Sequence, residues 1–382
     1  MSGPPPLRLW LEPGYDRGRF GVWLLDLPGA FGWAASRERA VSQAPSVAGW
    51  YRDWTARHGE QLDLVVGPTE IVEEVAASVE NDSERNASFM ADADPVTAAE
   101  LETVIRRLGH ARADLLAVVD RLEAFEARGG RLLPGDDRAL VETPGLTPTR
   151  AGAEVLRHVA GSEAWLASRL DPAARFEGLD RGGDIRLALE ASRAWAVDTV
   201  RAQHRRDPAL ARVDGKGESW TMRKVLRRLL YHSIDHLREL DGRLARAERR
   251  ADRLEVREER LVDVGPLARL LRSVGWDRRL IEPGQLERAI AASHRMVGAW
   301  DGDELVAFAR DVGDGEFTGH VSMVVVDPRW QGQGIAPRLV HALTDDRPRV
   351  RFTLGAAGGL RDYYARMGFE PDDSAMVRRR RP

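Results

Sequence analysis

Apolar residues recur in three different rhythms along this 382-residue chain. Up to about residue 80 they come in short runs, at 7–11, 20–25 and 30–34, separated by Gly14, Gly18, Pro28 and Gly29, a pattern of strands joined by tight turns. Ser36 is placed to cap a helix that carries Ala40, Val41, Val47, Trp50, Tyr51 and Trp54 to about Arg57, with Pro45 disturbing its interior. Residues 62–66 alternate as a further strand, and the polar stretch 81–94 reads as a linker. From 95 to 250 the period changes. Leu101, Ile105, Leu108, Leu115, Val118, Val119 and Leu122 recur at threes and fours until Gly129-Gly130 stops the helix. Three more helices are predicted at about 149–170, 185–203 and from 221 to beyond 244, an up-down four-helix bundle. The charge run 246–259 continues the last helix as a solvated face and hands over near Leu254 to the first strand of a third part, 254–382. There residues 297–310 read as a hairpin and Met323 to Val326 as a strand stopped by Asp327-Pro328, followed by a two-glycine loop, a helix and a strand at 350–354. The expected fold class is therefore multidomain α+β, with a small α+β domain at 1–80, a linker at 81–94, a bundle at 95–250 and a mixed α/β domain at 254–382.

Two places on this framework carry chemistry. Gln331, Gly332, Gln333, Gly334, Ile335 and Ala336 form a loop whose glycines let consecutive amides turn toward one point at a helix mouth, and Pro337 suits the first helical turn. Unpaired donors and the positive end of the macrodipole make such a mouth suited to a diphosphate. On the bundle's last helix Val225, Leu229, His232, His236 and Leu240 share one stripe, so the two imidazoles sit one turn apart, and His158 lies on a comparable stripe with Val155, Ser162 and Leu166. That arrangement fits either core histidines or ligands to a divalent ion. Composition narrows the rest. A net charge of −3 gives no bulk case for nucleic acid. Lys216 and Lys224 are the only lysines among 57 basic residues, which reads as coding bias. Absence of cysteine excludes disulfides and thiolate sites and agrees with a reducing cytoplasm. No apolar run approaches the roughly 18 residues of a membrane helix, and residues 1–6 lack signal-peptide character.

The loop fits Q/R-x-x-G-x-G/A with Gln331, Gly334 and Ala336 at the marked positions, and Tyr364 to Phe369 fit the closing Tyr-x-x-x-Gly-Phe, so the last third resembles the GNAT acyltransferases. The resemblance implies acetyl-CoA held by the backbone of Val324 and Val326 and by residues Gln331 to Ala336, with Tyr364 as general acid toward the departing CoA thiolate. Met323 stands where many relatives carry an acidic base and Ala357 where some carry asparagine, which leaves Glu316, His320 or a water chain to take the amine's proton. Residues 220–236, with His232-Ser-Ile-Asp-His236, and residues 154–160 resemble two helices of the DinB family, implying that His158, His232 and His236 bind a divalent metal such as zinc or nickel. Asp235 and Glu239 flank these ligands, either orienting them or facing solvent. Residues 25–40 resemble the turn and helix start of HicB-like antitoxin domains, which implies an interaction module and leaves a homo-oligomer open. The expected activity is N-acetylation of a small-molecule or peptide amine in the cytoplasm. The alternatives are a metal-dependent thiol transferase or hydrolase with an accessory acyl-CoA domain, and a non-catalytic regulatory or assembly protein.

Overall fold

The computed structural model describes residues 5–15, 18–77, 80–81, 84–85, 87–132, 150–178, 183–260, 262–277, 282–356, 359–372, 374 and 376. Ala357 and the basic cluster 378–381 lie outside the described residues. The chain forms two compact units, residues 1–120 with 134–243 and residues 121–133 with 244–382.

In the first unit, β1 (Leu7–Pro13), β2 (Phe20–Trp23), β3 (Phe31–Ala34) and β4 (Thr69–Glu74) form one sheet in the order β3-β2-β1-β4. The β1–β4 pair is parallel and the others antiparallel. Pleating sends Leu7, Leu9 and Leu11 into one core cluster and Trp10 into another, so both faces of β1 are buried from Leu9 onward, while Arg8 is exposed. Helix α1 (Arg37–Arg57) begins where Ser36 Oγ accepts from the Arg39 amide at 3.3 Å. The strand expected at 62–66 is not formed. Leu62, Leu64 and Val66 pack against the core without joining a ladder, and the fourth strand starts only after Pro68, whose carbonyl accepts from the Leu7 amide at 2.7 Å. Short β5 (Glu80–Asn81) and β6 (Glu84–Arg85) pair with each other. Further along the polar stretch, Ala87, Phe89 and Asp92 are buried, and Asp92 holds the Arg227 guanidinium at 2.6 Å. Its polarity there serves an internal ion pair.

Four long helices come next: α2 (Ala98–Ala127), α3 (Gly152–Ser168), α4 (Ile185–Arg206) and α5 (Met222–Arg253), with a small hairpin of β7 (Ala211–Val213) and β8 (Ser219–Thr221) leading into α5. Their least expected core member is Glu163, which is 1 % exposed. It accepts two bonds from Arg112 at 2.6 and 2.7 Å, one from Ser192 at 2.9 Å, one from Ser233 at 3.3 Å and one from Arg193. Burial alone would raise its pKa, but Arg193 and Arg112 outweigh that and hold it below the ordinary carboxylate range.

The second unit contains the end of α2, β9 (Glu255–Glu259), α6 (Val264–Ser273), α7 (Gln285–Ala291), β10 (Arg295–Asp301), β11 (Glu304–Gly313), β12 (Thr318–Val326), α8 (Ile335–Thr344), β13 (Arg351–Leu354) and α9 (Arg361–Ala365). The sheet order is β13-β12-β11-β10-β9, parallel only between β12 and β13. One face packs on α6 and α7 through Leu267, Leu270, Leu271, Leu286 and Ile290, the other on α8 through Ile335, Leu339, Val340 and Leu343. Among the described residues no helix is long and apolar enough to cross a membrane.

Glu163→Ala leaves two buried guanidiniums without a counter-ion, and the expected loss is about 3–5 kcal/mol of stability, read by urea unfolding at pH 7. Because the folded-state pKa is depressed, the carboxylate's contribution is present above the unfolded value near 4.3 and fades as pH falls through the folded one. The wild-type advantage should therefore shrink on acidification.

Candidate functional site

The second unit has a parting between strands. β12 pairs with β13 from Thr318–Arg351 to Val321–Leu354, yet β12 continues to Val326, so its last five residues show that edge unpaired among the described residues. Met323 explains the divergence. Its φ of 54° makes it the sole non-glycine residue at positive φ among those described, and the β11–β12 register shifts between Phe308 and Arg310. A bulge of this kind bends a strand and re-aims the residues downstream; a left-handed methionine costs energy that the neighbouring pairs must hold. Val324 and Val326, both half-buried, lie on that re-aimed stretch.

The loop beyond it turns into α8. Gly332 and Gly334 adopt φ of 77° and 72°, conformations that only glycine takes without strain, and Gly334 is the residue that caps α8. Gln331 Nε2 donates to the Val326 carbonyl at 3.0 Å, which pins the loop's start to the strand's end. Ile335 is buried and anchors the first turn, Ala336 is half-buried beside it, and Gln333 is buried with its Oε1 lacking a partner among the described residues. The mouth of α8 is covered by main chain from the end of α2. The Arg131 amide donates to the Gly332 carbonyl, Gly130 and Gln333 form an isolated antiparallel bridge, and a Cβ on Gly334 would meet the Arg128 carbonyl oxygen at 2.5 Å.

Tyr364 sits on α9, half-buried, edge-on to Phe369 at 6.2 Å between ring centroids. Burial raises its pKa above the ordinary tyrosine value, so it is a protonated donor at neutral pH. The residues considered as bases are exposed: Glu316 lies in the β11–β12 turn, and His320 shares a 3.0 Å hydrogen bond with Thr353 Oγ1.

In the first unit the three histidines come together. Ligand atoms of His158, His232 and His236 all lie within 4.8 Å of one another, and His158 Nε2 is 3.1 Å from His232 Nε2. Burial lowers the His232 pKa well below its ordinary value, so that imidazole is neutral, the form that binds metal. Glu239, which sequence reasoning left between an orienting role and solvent, accepts from His236 Nδ1 at 2.8 Å and from Arg243 at 2.9 Å. That bond fixes the tautomer and aims Nε2 of His236 away from Glu239. Sequence reasoning missed the approach of Arg128 to Arg131 to the loop; the Gly129-Gly130 pair was its one signal, and it read only as a helix stop.

Comparison with known proteins bears on the second unit. Residues 273–380 match the model of the Acetyltransferase (GNAT) domain. An uncharacterized N-acetyltransferase ycf52-like of Prochlorococcus marinus is 32% identical over 117 residues, 29% of this chain and 64% of that protein. The histone acetyltransferase TAP1 of Glycine max is 32% identical over 129 residues, 30% of this chain and 55% of that protein. A GNAT family acetyltransferase structure from Streptococcus pneumoniae aligns with 34% of this chain and 99% of its own, at 26% identity and a TM-score of 0.30. The chain thus spans less than two thirds of the length of these curated relatives. The family match supports a C-terminal GNAT acetyltransferase domain.

Proposed function

We propose that the protein is an acetyl-CoA-dependent N-acetyltransferase acting on a small-molecule or peptide amine. The observation that carries this reading is the parting of β12 from β13 after Val321 and Leu354, directly upstream of a two-glycine loop that opens α8. A parted strand edge offers main-chain N–H and C=O groups to an extended amide-bearing arm, here those of Val324 and Val326, in the manner of an added strand. The amides of Gln331, Gly332, Gln333, Gly334, Ile335 and Ala336 lie where the arm's diphosphate would end, at the positive end of α8. Tyr364 is the proton donor for the departing thiolate, and its raised pKa keeps that proton in place at neutral pH. The base that deprotonates the amine is left to Glu316, His320 or solvent, since Met323 has no acid–base chemistry.

A second reading accompanies it because of the geometry of the triad. Two imidazole nitrogens held at about 2.0–2.1 Å by a tetrahedral ion sit about 3.3 Å apart, close to the 3.1 Å between His158 and His232. With Glu239 steadying His236, the three residues fit a divalent ion such as zinc or nickel, in a bundle of DinB type preceded by a HicB-like interaction domain. A bound ion would supply Lewis acidity toward a thiol or water, making this unit a thiol transferase or hydrolase centre.

Calorimetry with acetyl-CoA tests the first reading. Binding should weaken at least about tenfold in Gly334→Arg, and absence of any heat in the unmodified protein would remove the acetyltransferase assignment. Tyr364→Phe should lower kcat by about a hundredfold with KM for acetyl-CoA little changed. In the unmodified enzyme the rate should fall as pH rises through the raised tyrosine pKa, since the protonated form is the active one. For the second reading, elemental analysis should find about one divalent ion per chain in the purified protein and none in the His232→Ala/His236→Ala double variant. Equal metal content in both would refute the triad as its site.

A further inference from the structure

Main chain from the end of α2 already lies against the α8 mouth in the folded chain. Helix α2 ends in a Schellman turn: Gly129, at φ 83°, donates its amide to the Glu126 carbonyl at 2.8 Å, and the Gly130 amide reaches the Phe125 carbonyl at 3.0 Å. These two bonds engage the carbonyls of Glu126 and Phe125 and leave that of Arg128 outside the turn's own bonding. Its oxygen lies 2.5 Å from where a Cβ on Gly334 would be. Around this contact the Arg131 amide donates to the Gly332 carbonyl and Gly130 bridges to Gln333, while a Cβ on Gly129 would run into the Pro337 ring. The loop residues assigned to a diphosphate are therefore faced by a carbonyl oxygen of the same chain, and the negative end of one helix meets the positive end of another.

We infer that the terminal turn of α2, residues Arg128 to Arg131, is an internal mimic of the cofactor's diphosphate, which acetyl-CoA must displace to bind. This rests on the assignment of acetyl-CoA to the loop. The turn and the cofactor cannot occupy the mouth together, because the Arg128 oxygen already lies within contact distance of Gly334. The apparent dissociation constant is then the intrinsic one divided by the fraction of molecules whose turn has lifted. Glycine at 129 is what permits the closed turn, since its positive φ and its closeness to Pro337 both forbid a side chain.

Calorimetry on the full chain tests this with acetyl-CoA as the probe. Gly129→Val should bind about tenfold more tightly than the unmodified protein, through a lifted turn. Unchanged or weaker affinity in a folded Gly129→Val, as judged by circular dichroism, would overturn the mimicry. Hydrogen exchange on the unmodified protein reads the same competition without a variant. On adding acetyl-CoA, amides 129–132 should exchange faster while amides 332–336 become protected. Protection of both segments together would show that the turn completes the site instead of blocking it, and would also overturn the proposal. If neither protein binds acetyl-CoA, the assignment of the loop fails and the mimicry with it. If both bind with equal affinity, the assignment stands and the mimicry alone fails.

Discussion

A helix that starts inside a protein must find acceptors for its first amides, and in the C-terminal unit that requirement organises everything around it. Gly332 and Gly334 set the loop so that α8 begins abruptly, with Ile335, Leu339, Val340 and Leu343 fastening it to the sheet. The sheet in turn has given up pairing beyond Val321 and Leu354, because Met323 takes a left-handed conformation that bends β12 out of plane. Strained residue, parted strands and a helix without a side-chain cap are consecutive in the chain, and each prepares the next. Their common outcome is a row of main-chain donors and acceptors lacking partners from regular secondary structure, which must be satisfied by a ligand or by another part of the chain.

The first unit faces the opposite problem, too many charges indoors. Glu163 is buried together with Arg112 and Arg193, and Ser233, one residue from His232, touches the same carboxylate. Arg112 Nε and Nη1 still lack partners among the described residues. Such a network adds little net stability compared with an apolar core, because desolvation consumes most of the Coulomb gain. What it adds is position. Every member restricts the rotamers of its neighbours, and α3 and α5 are thereby held in the register that brings His158 against His232 and His236. A metal ion engages three imidazoles at once only where the scaffold already brings them together; here Ser233 of α5 reaches Glu163 of α3, and Glu239 holds His236.

How much of this was legible in the sequence depends on whether the signal was local. Periodicity placed α2 to α5 within a few residues, and the i, i+4 histidines converged as their stripe required, because an amphipathic helix records its own buried face. The loop at 331–336 was legible for the same reason, since glycine at positive φ is a local demand. Residues 62–66 misled because alternation marks one buried face whether or not a partner strand exists, and Leu62, Leu64 and Val66 bury theirs without a ladder. The stretch 81–94 looked solvated because Asp92 was read without Arg227, which lies 135 residues further on. Met323 read as a missing base, whereas its backbone angle is what the structure uses. The turn of Arg128 on Gly334 had no signal in pattern, since a contact between main-chain atoms leaves no trace in side-chain identity beyond the glycines that permit it.

The balance between that turn and a cofactor can be argued from the kinds of bond involved. A phosphate oxygen accepts charge-assisted hydrogen bonds, roughly twice as strong as those of a neutral carbonyl, and it interacts more favourably with the positive end of α8. Bond for bond, the cofactor wins. The Arg128 carbonyl has the advantage of being tethered, since its helix is folded in place and closing the turn costs no translational entropy, while a free ligand bears that cost on every encounter. A competitor with weaker bonds and a higher effective concentration is displaced only when the ligand is abundant enough to make up the difference. It also keeps main chain over the mouth in the meantime, through the Arg131 amide on the Gly332 carbonyl. A chain that bound a cofactor this way would give up some affinity in return for a covered helix mouth.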